Sequence, residues 1–270
     1  MELIIFTDLD GTLLDLDTYS FKKAKPALKL IKKENKKEKN IAVVPCTSKT
    51  AEETKFYLKK LKIKEPFIVE NGGAIYIPKG YFSTHFEYQR EEDGYLVIEL
   101  GTYYPKLIGA LKEIKEQMPD SAIVGFGDMK LEELVSDSNL PRKQAELAKI
   151  RGYDEPFKFK GDEDKLRELV EQKHLHLTKG GRYFHIIGNN DKGKAIRILS
   201  ELFEKEYKTS IRTIALGDAD TDLPMFDEVN QGYMVKVGPE DWNNIIQKEV
   251  KNYSTSREHG EALLQEHRGS

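Results

Sequence analysis

Asp8 and Asp10 stand two residues apart in Asp8-Leu9-Asp10-Gly11-Thr12, directly after the apolar run Leu3-Ile4-Ile5-Phe6. In an extended chain residues i and i+2 point to the same side, so the two carboxylates project together if extension persists past Phe6. A turn at Gly11 lets nearby backbone amides face the same spot. Two like charges this close are costly unless a cation stands between them, and Mg²⁺ with oxygen ligands meets that need. The spacing also admits a plainer reading, a strand-end turn whose carboxylates are merely solvated. Three further polar groups repeat the placement. Thr47-Ser48 follows Ile41-Ala42-Val43-Val44, Glu70-Asn71 follows Pro66-Phe67-Ile68-Val69, and Asp218 with Asp222 follows Arg212 to Leu216. Each alone is ordinary turn chemistry. Four at the carboxyl ends of parallel strands, where open α/β sheets bind ligands, point to a site.

The elements that must position these groups are legible around them. Pro26 opens a helix in which Ala27, Leu28, Leu30 and Ile31 recur at helical spacing, and a second amphipathic helix covers Ala51 to Leu61. Strand-helix-strand-helix-strand predicts a doubly wound, Rossmann-like α/β domain with a parallel sheet. The rhythm breaks after Tyr81. Short strand-like pieces (His85 to Tyr88, Tyr95 to Glu99) precede a helix from Pro105 to Met118 and a strand at Ala122 to Phe126, with short helices broken by Pro141 beyond. Lys179-Gly180-Gly181 between two apolar pieces is a hairpin signal. From Lys192 the α/β rhythm returns, with a helix to Tyr207, strands at Arg212 to Leu216 and Tyr233 to Val237, and a final helix at Trp242 to Glu249. We therefore expect a core of residues 1–82 and 188–270, interrupted by an inserted α+β cap of residues 83–187. Tyr153 and Phe157 are expected in the core of that cap.

Composition narrows the classes. With 33% charged residues and a formal net charge of −3 over 270 residues, neither nucleic acid nor an anionic membrane is expected as the main partner. The single cysteine, Cys46, excludes an intrachain disulfide framework and a Cys-based zinc site. No apolar stretch approaches the ~20 residues of a membrane span, and the first strand begins too early for a leader, so a cytoplasmic protein is expected.

The motif at Asp8-Leu9-Asp10-Gly11-Thr12 resembles the first motif of the haloacid dehalogenase superfamily of phosphohydrolases. Thr47-Ser48 matches the hydroxyl of its second motif, Lys192 the lysine of its third, and Gly217-Asp218-Ala219-Asp220-Thr221-Asp222 its acidic fourth. The resemblance implies an aspartyl-phosphate enzyme with Asp8 as nucleophile and Asp10 as general acid and base. It implies Mg²⁺ held by Asp8, Asp218 and the backbone carbonyl of Asp10. Asp222 would serve that metal site by orienting Lys192 or a metal-bound water. Thr47, or Ser48 if the register shifts by one, would bind a phosphoryl oxygen, and Lys192 would neutralise transition-state charge. A lysine at a helix N-terminus is otherwise unfavourable, which agrees with a functional role.

Within that superfamily the chain is similar to mannosyl-3-phosphoglycerate phosphatases. The likeness runs through Cys46 to Thr50, Pro66 to Ile75, Pro78 to Phe82, Arg151 to Phe157, Gly181 to His185 and Gly188 to Ala195. It implies a phosphorylated glycoside as substrate and mannosylglycerate, a compatible solute, as product. Arg151 and Arg182 are candidates for gripping the glycerate carboxylate, since a guanidinium matches it bidentately; the plainer reading of each is a surface ion pair, against which Arg182 has its place in the hairpin signal beside His185. His185 is a candidate contact to the sugar, or a packed structural histidine. Glu70 and Asn71 would meet sugar hydroxyls, or Asn71 would supply the turn before Gly72-Gly73. The glucosyl analogue, a general sugar phosphate and phosphomutase chemistry remain open alternatives, and a sugar-phosphate-binding module is the non-enzymatic one.

Overall fold

The computed structural model describes residues 1, 3–37, 39–235 and 253–256. The helix expected at Trp242 to Glu249 lies outside the described residues. In order the chain forms β1 (Leu3–Thr7), α1 (Lys25–Asn35), β2 (Ile41–Pro45), α2 (Ala51–Leu61), β3 (Phe67–Val69), β4 (Ala74–Pro78), β5 (Arg90–Glu92) and β6 (Tyr95–Glu99). It continues through α3 (Tyr104–Gln117), β7 (Ala122–Gly125), α4 (Leu131–Ser138), α5 (Arg142–Ala148), β8 (Asp154–Lys160), α6 (Glu163–Gln172), β9 (His176–Lys179) and β10 (Phe184–Ile187). The return segment comprises α7 (Lys192–Tyr207), β11 (Arg212–Gly217), a 3₁₀ turn (Asp220–Asp222), α8 (Leu223–Asp227), β12 (Gln231–Val235) and β13 (Tyr253–Ser256).

Five strands pair in parallel in the order β13-β12-β11-β1-β2. Strands buried on both faces need apolar side chains at every position, which is why β1 and β2 are continuous apolar runs. Alternation then divides them. Ile4 and Phe6 pack with Ala195, Leu199 and Phe203 of α7 on one face, while Ile5 packs with Ala27, Ile31 and Tyr57 of α1 and α2 on the other. Helices on both faces make the doubly wound α/β core that the sequence implied. Reciprocal bonds between Thr50 and Glu53 cap α2, and the Asp191 carboxylate accepts the Lys194 amide at the start of α7.

The cap is an antiparallel sheet, β7-β8-β10-β9, with α3 and α6 on one face. Phe157, Phe184 and Ile186 point at those helices, so His185, one residue out of phase, faces the opposite side. The expected hairpin at Lys179-Gly180-Gly181 joins β9 to β10.

The boundary at residue 83 needs correction. β6 pairs with β4 and β5 with β6, and this sheet touches the core through a bridge between Cys46 and Ile68. Residues 90–99 therefore extend the core side, and the chain crosses to the cap near residues 100–103. Alternation in Tyr95-Leu96-Val97-Ile98 announces a strand without saying which sheet takes it. His85 to Tyr88 is not a strand. That segment runs along the end of α7, where the amides of Ser83 and Thr84 donate to Glu206. Tyr153 also leaves the cap, packing with Phe67, Tyr76 and Val97 of the core-side sheet, whereas Phe157 lies in the cap core as expected. The return crossing passes through Gly188, where a Cβ would stand 2.3 Å from Thr102 Oγ1, so the two crossing strands run in contact.

Candidate active site

Strand register brings the distant carboxylates together. Thr7 of β1 is level with Leu216 of β11 and Pro45 of β2, and the Asp8 amide donates to the Leu216 carbonyl at 2.9 Å. Asp8 and Asp218, just past β1 and β11, therefore meet, and Thr47 follows the end of the neighbouring β2. Beyond Asp8 the chain doubles back tightly, with the Gly11 amide on the Leu14 carbonyl and the Leu14 amide on the Leu9 carbonyl. Gly11 adopts φ +79°, and a Cβ there would lie 2.2 Å from Asp218 Oδ2, so only glycine lets the loop approach that carboxylate.

Lys192 supplies the cation. It is 1% exposed, and its Nζ donates to Asp8 Oδ1 at 2.7 Å and to Asp222 Oδ1 at 2.6 Å. Burial pulls the ammonium pKa down, but Asp222 and Asp8 hold it above that of an ordinary lysine. The second Asp222 oxygen accepts the amides of Asp218 and Ala219, so this carboxylate is spent on orienting the lysine and the loop. Thr12 donates to Asp218 Oδ1 at 3.0 Å. One ammonium does not balance three carboxylates whose oxygens lie within 4.8 Å of one another. Burial, against the pull of Lys192, pushes Asp8 up to about 7, and burial with the charges of Asp8 and Asp222 raises Asp218 well above the usual range. An all-oxygen cluster with surplus negative charge suits a hard divalent cation, held by Asp8 and Asp218 with Asp222 behind them.

Asp10 lines the same cleft as Asp8, Asp218 and Asp222. Its carboxylate is outside the three-membered acidic cluster and pairs instead with Lys49, whose Nζ lies 2.8 Å from Asp10 Oδ2. Thr47 is fully buried with its hydroxyl accepting the Lys49 amide, which leaves the O–H free to donate; Ser48 lines the cleft.

The expected substrate-binding residues divide. His185 lines the cleft, its Nδ1 held 2.9 Å from both oxygens of the buried Asp154. Arg182 also lines the cleft, but donates to the carbonyls of Ser138 and Leu16 and to Asp17. Arg151 lines the cleft as well, buried, with its guanidinium donating to the carbonyls of Asp154 and Ser48 and lying 3.5 Å from the Asp154 carboxylate. Glu70 and Asn71 are both engaged by the loop before β8 and its first residue. The Glu70 carboxylate accepts the amides of Gly152 and Tyr153, and Asn71 Nδ2 donates to Asp154 at 2.8 Å. Both have positive φ, 49° and 55°, because this turn must fold back to tie β3 to the cap loop. Lys49, Glu53, Thr12 and Asp154 escaped the sequence reading. Lys49 two residues past Thr47 was the one available signal.

A family profile described as haloacid dehalogenase-like hydrolase matches residues 5–256. A glucosyl-3-phosphoglycerate/mannosyl-3-phosphoglycerate phosphatase of Methanococcoides burtonii is 44% identical, over 91% of this chain and 96% of its own length. A mannosyl-3-phosphoglycerate phosphatase of Pyrococcus furiosus is 36% identical, over 86% of this chain and 90% of its own. Among solved structures, a sucrose-phosphatase of Synechocystis superposes with a TM-score of 0.62 at 12% identity, covering 98% of this chain and 97% of that one, a likeness of fold alone.

Proposed function

The chain belongs to the haloacid dehalogenase-like hydrolases, and on that footing we propose that it is a Mg²⁺-dependent phosphatase of mannosyl-3-phosphoglycerate and glucosyl-3-phosphoglycerate. The observation that carries the reading is the meeting of Asp8, Asp218, Asp222 and Lys192 at the strand ends, with Asp10 in the same cleft. Both substrates are included because the relatives at 44% identity are named for both.

Asp8 attacks phosphorus, forming an Asp–O–P bond as the bond to the glycerate oxygen breaks, and Asp10 gives its proton to that leaving oxygen. Asp10 then removes a proton from water. The water oxygen attacks phosphorus, the Asp8 bond breaks, and phosphate and glycosylglycerate leave. Lys192 and the hydroxyls of Thr47 and Ser48 stabilise the charge on the equatorial oxygens. Mg²⁺ bound by Asp8 and Asp218 would add Lewis-acid stabilisation of the same oxygens. The cap module (residues 100–187), with His185 and Arg182 at the cleft, supplies the sugar side.

Phosphate release from both glycosides and from mannose 6-phosphate, each with Mg²⁺, tests the assignment. We expect rapid release from the glycosides and Asp8→Asn slower by at least about 10³-fold with its fold intact. Turnover of mannose 6-phosphate alone would remove the substrate assignment, and an active Asp8→Asn would remove the nucleophile.

A further inference from the structure

Lys49 makes a short ion pair in the cleft that the steps above leave unused. It is 5% exposed, and its Nζ reaches Asp10 Oδ2 at 2.8 Å and Glu53 Oε1 at 3.3 Å. The rings of Tyr19 and Tyr57 enclose it, with centroids 5.1 and 5.6 Å away. Glu53 cannot swing freely, because its other oxygen caps α2 through the Thr50 amide. A rigid relay therefore runs from the helix N-terminus through Glu53 and Lys49 to Asp10. The two Asp10 oxygens end up unlike each other. Oδ2 is tied to the ammonium, while Oδ1 is buried with no hydrogen-bond partner among the described residues. A bare carboxyl oxygen in a cleft is costly to keep, and such groups persist where a ligand completes them.

We propose that Lys49 is a positioning residue for the general acid: by holding Asp10 Oδ2 it fixes the rotation of the carboxyl group and leaves Oδ1 to carry the proton to the leaving oxygen. The inference rests on the phosphatase reading. A lysine that merely fills space between two tyrosines and a glutamate predicts no dependence on the leaving group, and that difference decides the matter.

The test compares kcat/KM for the glycoside with kcat/KM for 4-nitrophenyl phosphate, whose phenolate departs with little need of a proton. The ratio kcat/KM covers steps through departure of the alcohol, so the later hydrolysis of the phosphoenzyme does not blur it. In Lys49→Met we expect kcat/KM on the glycoside to fall ~10²-fold, and on 4-nitrophenyl phosphate by no more than ~5-fold. Lys49→Arg, which keeps a cation within reach of Oδ2, should recover most of the loss on the glycoside. Equal losses on the two esters, or an arginine variant as slow as the methionine one, overturn the inference and leave the phosphatase reading standing. Failure of the wild-type protein to release phosphate from either ester overturns that reading itself. If 4-nitrophenyl phosphate proves a non-substrate, the glycoside alone decides, through a kcat that falls in the methionine variant and returns in the arginine one at near-constant KM. If Lys49→Met does not fold, Glu53→Gln, which loosens the ammonium without removing it, must show the same leaving-group-dependent loss in smaller degree, and its absence counts against the proposal.

Discussion

Lys192 shows how far a catalytic centre departs from what a fold would choose. A cation at a helix N-terminus opposes the helix dipole, and a buried ammonium loses its hydration. Both costs are offset only because Asp8 and Asp222 close on it at 2.7 and 2.6 Å. Asp218 then remains beside Asp8 with the Thr12 hydroxyl and, among the described residues, no ion pair of its own. This crowding makes a prediction with a thermal readout. Asp218→Asn should melt higher than the wild type in EDTA, by the relief of like-charge repulsion in a buried site. It should also lose the Mg²⁺-induced rise in melting temperature expected of the wild type, where binding at a hundredfold excess over Kd adds about 2.7 kcal/mol of stability. A wild type whose melting is indifferent to Mg²⁺ would remove the cation site. Asp8, Thr47 and Asp218 could be read from the chain because each sits within two residues of an apolar run that declares its strand. Lys49 could not, because its partners Asp10, Glu53, Tyr19 and Tyr57 come from three different segments, and only packing joins them.

At the scale of elements, the turn after β3 ties core to cap. Glu70 is sealed under the amides of Gly152 and Tyr153, with Arg151 3.8 Å away, and burial against these partners pushes its carboxyl up to about 7 from 4.5. The sign follows from linkage. Above pH 4.5 the unfolded chain sheds this proton while the folded one keeps it, so Glu70 subtracts stability as pH rises from about 4.5 to about 7 and no more beyond. At about 1.4 kcal/mol per pKa unit the loss is up to ~3 kcal/mol. Glu70→Gln should flatten this part of the stability–pH curve, measured by urea unfolding at pH 4.5 and pH 8; an unchanged slope would clear Glu70 of the role. The sequence showed Glu70-Asn71-Gly72-Gly73 as a strand-end turn and rightly so. For the side chains it leaves sugar hydroxyls open, or for Asn71 the turn alone, because a polar pair at a strand end looks the same whether it faces a ligand or a neighbouring loop. The same ambiguity put β5 and β6 in the cap: the strand pattern is local, but the choice of sheet is not.

Over the whole molecule, cap and core meet around the cleft through a set of polar contacts. Arg182 of the cap reaches the Leu16 carbonyl and Asp17, the Tyr19 hydroxyl donates to the Ser138 carbonyl, the Thr50 hydroxyl to Leu147, and the Tyr57 hydroxyl to Gln144. Exchanging such bonds for water costs only about 0.5–1.5 kcal/mol each, so the interface can open and reclose, unlike the apolar cores on either side. Opening is needed, since Asp8 is 6% exposed and a phosphorylated glycoside must still reach it. The two crossing segments at residues 100–103 and 188 touch through Gly188 and Thr102, beside the Glu70 turn that also ties core to cap, so a rotation would turn about that side of the interface. Small-angle scattering should therefore show a smaller radius of gyration when Mg²⁺ and a phosphate analogue are added. Arg182→Ala removes the hydrogen bonds from the cap hairpin to the Leu16 carbonyl and Asp17, and should stay more extended at the same ligand concentration. Its KM should rise ~10-fold while kcat at saturation changes by less than ~3-fold, because a latch alters the population of the closed state and not the chemistry inside it. Identical scattering with and without the analogue, in wild type and variant alike, would mean that cap and core move as one body and that substrate enters by another way.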